Sequence, residues 1–384
     1  LPQRLDAYCA LREAAAADVS REEQQNTFLS LTTLRKRLLS SVFAFQRTLA
    51  AHRQGLAARA EKRRVVSAAR LDAPDADDER AGEEPDVLEA DAADALAAAS
   101  AGSGPAAPDA EGLLDELTAL ATKHAARPDA RVRALVAWVR ENLLDGATPP
   151  RWGARRLIVF TEYIDTQRYL VRQLRDALKD LPRFDDRVAT LDGRPENDER
   201  RDELKRRFNA RPDEDPLRVL VCTDAAREGI NLQAHCADLF HFDLPWNPSR
   251  LEQRNGRIDR KGQPSPEVRC HYFTHVQRPE DEVLDALVRK TETIRKEVGS
   301  LGEVLAARTD ALLQRGISRR EARALARQID QLKLFPSPEP AAPTGDGAVV
   351  VDAPPSQEAV LDELEEPPAT QADLVAAREA NDKL

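Results

Sequence analysis

Leu157-Ile158-Val159-Phe160-Thr161, followed after two residues by Ile164-Asp165-Thr166-Gln167-Arg168-Tyr169-Leu170-Val171-Arg172-Gln173-Leu174, is the stretch on which the fold turns. A short apolar, β-branched run predicts a strand, and Leu170, Val171, Leu174 and Leu178 predict an amphipathic helix over Ile164 to Lys179 that lies against it. The same alternation continues downstream. Strands are expected at Val188 to Leu191, Arg218 to Thr223, Leu239 to Asp243 and Val268 to Phe273, with helices at Glu196 to Asn209 and Ser249 to Arg260. Strands alternating with helices are the pattern of βαβ units, so the expected class is α/β with a parallel sheet and helices on both faces.

Outward from this core the texture changes. Residues 1–70 read as helix, with apolar positions at Phe28, Leu31, Leu34, Leu38, Leu39, Val42, Phe43 and Phe45. Between Asn26 and Ala60 stand Arg35, Lys36, Arg37, Arg47, Arg53 and Arg59 with no acid, as on a solvated face or a phosphate-facing surface. Residues 71–112 are rich in acid, alanine and turn formers without a period that buries a face, and are expected to be a disordered insert. Residues 113–150 return to helical spacing, broken at Arg127-Pro128. The α/β lobe is expected over 151–276, helices over 277–335, and an acidic, proline- and alanine-rich tail over 336–384.

Charge follows these divisions. The chain of 384 residues carries a formal −10, but Leu71 to Glu111 holds 13 acids against one base and Pro336 to Leu384 holds 11 against two. The remainder is net +11, a balance compatible with a polyanionic partner such as DNA or a nucleotide. Aromatics at 4% make a thin core for so long a chain. Cys9, Cys222, Cys236 and Cys270 match neither a paired zinc spacing nor a disulfide framework, and are expected to be small core residues in a reducing compartment. Cys222 and Cys270 fall in expected strands, which fits that reading. His235, His241, His271 and His275 lie near the expected sheet without ligand spacing. No apolar run approaches the ~20 residues that cross a bilayer, and a cytoplasmic protein with no membrane partner is expected. There is no methionine, not even at position 1, so the chain is expected to begin inside a longer protein.

The stretch densest in chemistry is Gln253-Arg254-Asn255-Gly256-Arg257-Ile258-Asp259-Arg260, on the expected helix after Asn247-Pro248-Ser249. At 3.6 residues per turn, Gln253, Arg257 and Arg260 share one face, with Leu251 and Ile258 on the buried side. Guanidinium groups stay ionised and offer a planar fork of donors, which suits charge compensation on a transferring phosphoryl group.

Four stretches in order resemble the C-terminal RecA-like lobe of superfamily 2 helicases, and more narrowly the Swi/Snf type of DNA translocase. Leu157 to Thr161 looks like the strand of motif IV, and Leu191-Asp192-Gly193 with Arg200 and Phe208 is similar to the next strand and helix. Thr223-Asp224-Ala225-Ala226-Arg227-Glu228-Gly229-Ile230-Asn231-Leu232 looks like motif V. Phe242 to Pro248 leads into Gln253 to Gln263, which resembles motif VI. The resemblance implies that Arg257 and Arg260 are arginine fingers, that Gly229, Asn231 and Gln253 lie near ATP, and that Thr161, Thr223, Asp224 and Arg254 lie nearer DNA or the lobe interface. It also implies double-stranded DNA as a partner. Among its bacterial branches, polymerase-recycling ATPases and the helicase-like component of DISARM phage defence look nearest, which adds RNA polymerase or defence-system proteins as partners.

Half of the expected chemistry lies outside these residues. No glycine precedes a lysine, so there is no G-x-x-x-x-G-K-[ST] loop. Leu113-Leu114-Asp115-Glu116 and Val360-Leu361-Asp362-Glu363 follow no phosphate loop and make poor candidates for the acidic magnesium motif. ATP and Mg2+ are therefore expected to be held mainly by an N-terminal RecA-like lobe in the same or an adjacent chain. A reading of a different class is a non-catalytic accessory module that binds DNA or a partner protein.

Overall fold

Short polar signals set the helix ends of the amino-terminal region. Helix α1 (Pro2–Ala15) starts on a proline, where the missing N–H costs nothing. Helix α2 (Arg21–Ser40) starts with a capping box, in which Ser20 Oγ accepts from Glu23 N and Glu23 Oε2 accepts from Ser20 N. Ser41 then adopts extended backbone and its hydroxyl accepts from Ala44 N at 3.0 Å, so one residue ends α2 and caps α3 (Val42–Ala57). Helices α4 (Pro85–Ala101), α5 (Pro108–His124) and α6 (Ala130–Asn142) follow, the last two separated at Pro128 as its ring requires. Leu5, Tyr8, Leu31, Leu34, Phe45, Leu49 and Leu117 form the core among them.

The computed structural model describes residues 1–58, 71, 80, 83–104, 108–181, 183–192, 198–225, 231–245, 248–274, 283, 285–286 and 322–327. Apart from 283, 285–286 and 322–327, the helices expected over 277–335 and the tail over 336–384 lie outside the described residues.

The acidic insert departs from expectation, because α4 and the first turn of α5 lie inside it. Alanine is the best helix former and its small side chain lets helices approach closely. Leu96 and Ala99 are buried, and α4 lies so near α3 that a Cβ on Gly55 would stand 2.1 Å from the carbonyl oxygen of Ala97. The insert also supplies counter-charge. Its Glu89 pairs with Arg37 at 3.1 Å; outside it, Asp115 pairs with Arg53 at 2.5 Å, Glu13 with Arg35 at 3.2 Å and Asp165 with Arg47 at 3.1 Å. The run expected to face phosphate is thus turned largely toward this protein's own carboxylates; Arg35 and Arg37 are buried.

The lobe that follows runs β1 (Leu157–Thr161), α7 (Ile164–Ala177), α8 (Phe184–Arg187), β2 (Val188–Leu191), α9 (Asp198–Asn209), β3 (Val219–Thr223), β4 (Asp238–His241), α10 (Pro248–Asn255) and β5 (Arg269–Tyr272). The strands form one parallel sheet in the order β2-β3-β1-β4-β5, with Leu157 opposite Val219 on one side and Asp238 on the other. Alternation divides the side chains between two faces. Leu157, Val159, Val219 and Val221 pack under α6 and α7 through Leu135, Val139, Leu170 and Leu174. Ile158, Phe160, Leu220 and Cys222 face Leu204, Phe208, Leu232 and Ile258. Cys9, Cys222 and Cys236 are buried as expected, whereas Cys270 is exposed among the described residues, on the edge strand β5.

The amino edge of this sheet is closed by a row of arginines. Arg156, Arg187 and Arg218 each immediately precede a strand. Arg156 donates to the carbonyls of Phe208, Ala210 and Leu217, closing the end of α9. Arg218 donates to Gly153, Pro212 and Asp215, and Arg187 to Pro216. Burial, with Arg187 and Arg156 beside it, pushes Arg218 down to about 10.

Candidate functional site

Ligands of open parallel sheets gather beyond the carboxyl ends of the strands, and three adjacent strands here end in polar residues. Thr161 ends β1, Thr223 ends β3 with Asp224 next, and Asp243 stands two residues past β4. Arg254, from α10, lies across all three. Its Nε donates to Asp224 Oδ1 at 2.5 Å and its Nη2 to Asp224 Oδ2 at 2.9 Å, while Nη1 donates to the Asp243 carbonyl at 2.7 Å. Asp243 in turn accepts from Thr161 Oγ1 at 2.6 Å and from Glu162 N at 2.8 Å.

Burial opposes the charge of Arg254, but Asp224, then Asp243 and Glu162, more than offset it and hold the guanidinium above its ordinary value. Arg254 is 2% exposed. Beside it, burial pushes the Glu162 carboxyl up to about 7 against the opposing charges of Arg250, 3.2 Å away, and Lys36.

The helical region is fastened to the same node. Ser40 donates to Asp243 Oδ2 at 2.5 Å, and both Ser40 and Ser41 share hydrogen bonds with the Thr166 hydroxyl. Arg131 of α6 donates to the carbonyls of Leu39, Ser40 and Phe242. The break between α2 and α3 is therefore docked on the strand tips.

The arginine stretch is shaped differently from the expectation. Helix α10 ends at Asn255, and tight turns carry the chain through Arg260. Gly256 N still donates to Glu252 O, but Arg257 N and Ile258 N turn back three residues, to Arg254 O and Asn255 O. Gln253, Arg257 and Arg260 consequently do not share a helical face. Gln253 is half-buried on α10. Arg257 is 7% exposed, packed inward, and its carbonyl accepts from Leu232 N at 3.1 Å. Arg260 is exposed and donates to the side-chain oxygen of Asn231 and to the carbonyl of Gly256.

The expected residues thus form two groups. Thr161, Thr223, Asp224 and Arg254, expected nearer DNA or the lobe interface, are buried at the strand tips, where the Arg254 guanidinium stands between the carboxylates that follow β3 and β4, on either side of β1. Asn231 and Arg260 meet on the outer layer that covers the Ile158 and Leu220 face, next to Asn209, whose side chain donates to the Asn231 carbonyl at 2.7 Å. Gly229 lies outside the described residues. Sequence reasoning assigned nothing to Asp243, Glu162, Arg250, Arg131 or the hydroxyl of Ser40. The repeated placement of an acid just beyond an apolar strand, Asp224 and Asp243, was the available signal. His241 is buried against Asn255 and His271 stacks on Phe240, both structural placements; His275 lies outside the described residues. Among the described residues no three metal-ligating side chains converge, and no helix is long and apolar enough to cross a membrane.

Comparison with known proteins agrees with this layout. Residues 151–262 match the model of the helicase conserved C-terminal domain. An uncharacterized ATP-dependent helicase, YqhH of Bacillus subtilis, is 36% identical over 151 residues, 39% of this chain and 24% of that protein. The RNA polymerase-associated protein RapA of Yersinia enterocolitica is 53% identical over 51 residues, 13% of this chain and 5% of RapA. The defense against restriction protein B of Escherichia phage P1 is 38% identical over 72 residues, 19% of this chain and 3% of that protein. The chain therefore spans a quarter or less of each of these relatives. Residues 151–262, which hold the parallel sheet and the Arg254 node beyond its tips, are thus similar to the helicase conserved C-terminal domain.

Proposed function

We propose that this chain is the C-terminal motor lobe of an ATP-dependent DNA translocase of the Swi/Snf type. ATP and Mg2+ are held mainly by an N-terminal RecA-like lobe, and this lobe contributes Arg260 to the γ-phosphate. The observation that carries the reading is the exposed Arg260 guanidinium, held against Asn231 on a turn that follows the buried Arg254 anchor. A guanidinium delivered from a second lobe compensates charge in phosphoryl transfer and is worth roughly 10³ or more in rate. Arg254 and Arg257 are packed inside, so their part is to fix the turn from which Arg260 projects.

Closure of the two lobes on ATP and opening after hydrolysis would drive movement along double-stranded DNA. Asn231 and Gln253 belong to the nucleotide side in this reading. The names of two relatives favour RNA polymerase or defence-system proteins as partners, with the work done in the cytoplasm.

The test is DNA-stimulated ATP hydrolysis by the protein that joins this lobe to its first lobe. Arg260→Ala is expected to cut turnover by about 10³ while changing folding stability by only ~0.5 kcal/mol, as exposed substitutions do. Turnover within a few-fold of the parent would remove Arg260 from the mechanism. A joined protein without any hydrolysis would favour a DNA- or protein-binding accessory module instead.

A further inference from the structure

Helix α7 carries arginines at 168, 172 and 175, spaced i, i+4 and i+7, so all three rise from one side of the helix. They line a cavity of about 310 Å³ between the helix and β2, whose other wall includes Thr190 and Asp192 and whose floor includes Val171. Ile164 at the start of α7, and Thr190 and Asp192 at the carboxyl end of β2, are part of its lining, and that is the side on which parallel sheets receive ligands.

The counter-charges are weakly held. Arg168 meets Asp86 of α4 at 2.7 Å, but that carboxylate is 84% exposed. Arg175 meets Asp185 at 2.5 Å, and that carboxylate is 82% exposed. Arg172 lies over the Phe43 ring, 5.3 Å from its centroid. Exposed pairs of this kind are worth little and exchange readily for a stronger anion. The contrast with Arg37 and Arg254, whose carboxylate partners Glu89 and Asp224 are buried or nearly so, sets this row apart. Seven residues of helix rise about 10.5 Å, close to three base-pair steps along one DNA strand.

We propose that Arg168, Arg172 and Arg175 form a seat for the sugar-phosphate backbone of a DNA duplex, with Asp86 and Asp185 as displaceable covers. The proposal rests on DNA being the partner inferred above and gives it a location away from Arg260. Phosphate oxygens replace the two carboxylates on binding, and the apolar Val171 and Ile164 offer the sugars a surface. No base edge is read, so recognition is independent of sequence.

The experiment measures binding of this chain to a short fluorescent DNA duplex by anisotropy, across a salt titration. Substituting all three arginines by glutamine is expected to weaken binding by roughly tenfold or more at low salt, and to flatten the dependence of log K on log salt by about 2 to 3. Asp86→Asn with Asp185→Asn is expected to tighten binding, which loss of fold would not produce, and to tighten it more than Asp202→Asn with Asp213→Asn, which makes the same change in net charge away from the row; equal tightening overturns the proposal. An unchanged salt slope in the arginine variant overturns the proposal, as does preference for a single strand over the duplex. A parent chain that binds no duplex also overturns it, while leaving the hydrolysis test of Arg260 to decide the motor reading.

Discussion

Replacing Arg254 by alanine removes the only cation bonded to both Asp224 and Asp243 among the described residues. The two carboxylates are each 5% exposed. Asp243 keeps Thr161, Glu162 N and Ser40 as donors, but Asp224 loses a bidentate partner at 2.5 and 2.9 Å and has Arg250 only at 4.0 Å. Breaking a buried pair from one side costs about 3 to 5 kcal/mol, because the remaining charge stays desolvated. That is roughly a fifth or more of the stability of an ordinary domain. Urea unfolding followed by tryptophan fluorescence reads it as a lower midpoint at unchanged slope. Adding Asp224→Leu to Arg254→Leu is expected to recover at least half of the loss, since the stranded carboxylate is then gone. A single-variant loss below about 1 kcal/mol, or a double variant no better than the single, would refute the view that Arg254 acts as the counter-charge of the strand tips.

Gly55→Leu is expected to part α3 from α4, because even its Cβ would stand 2.1 Å from a backbone oxygen; overpacking costs about 1 to 3 kcal/mol or more and should appear as a lower thermal midpoint. The pH dependence of stability offers a second check. Burial pushes His52 down to about 3, so its ring stays neutral in the folded protein while the unfolded chain takes up a proton below about 6.5. Stability from this group is therefore present above pH 6.5 and lost as pH falls toward 3, at about 1.4 kcal/mol per pH unit. Between pH 6.5 and 5, His52→Gln should lose about 2 kcal/mol less than the parent in paired urea titrations. Equal losses would mean that the His52 ring is not held neutral. The comparison is made against the parent because burial raises Glu162 to about 7 and Asp165 to about 6, and acidification stabilises the fold through both.

Strand positions were legible to within a residue or two, since apolar runs such as Leu157–Thr161 and Val219–Thr223 have no amphipathic alternative of that length. The end of α10 was not. A periodic reading carried the helix through Gly256 to Arg260, whereas the backbone turns at Asn255. That difference moves Arg257 from a shared face to the interior and leaves Arg260 outside. The acidic insert was misread for a related reason. Its alanines bury little area one by one, so no hydrophobic period marks α4; the approach to Gly55, the burial of Leu96 and Ala99 and the pairing of Glu89 with Arg37 give that helix its place.

By itself the sequence determined the parallel α/β lobe, the order of its motif stretches and the candidate arginines, because strand length, helical period and residue type are local properties. Tertiary structure decided which charges remain available. Arginines 35, 37, 47 and 53 look alike in a sequence with no nearby acid, yet each finds a carboxylate from a different helix. Arg254 and Arg260 are six residues apart, and one is enclosed by Asp224 and Asp243 while the other is exposed against Asn231. Charge compensation acts through space over a few ångströms, and chain separations of 30 residues or more are invisible to any local pattern.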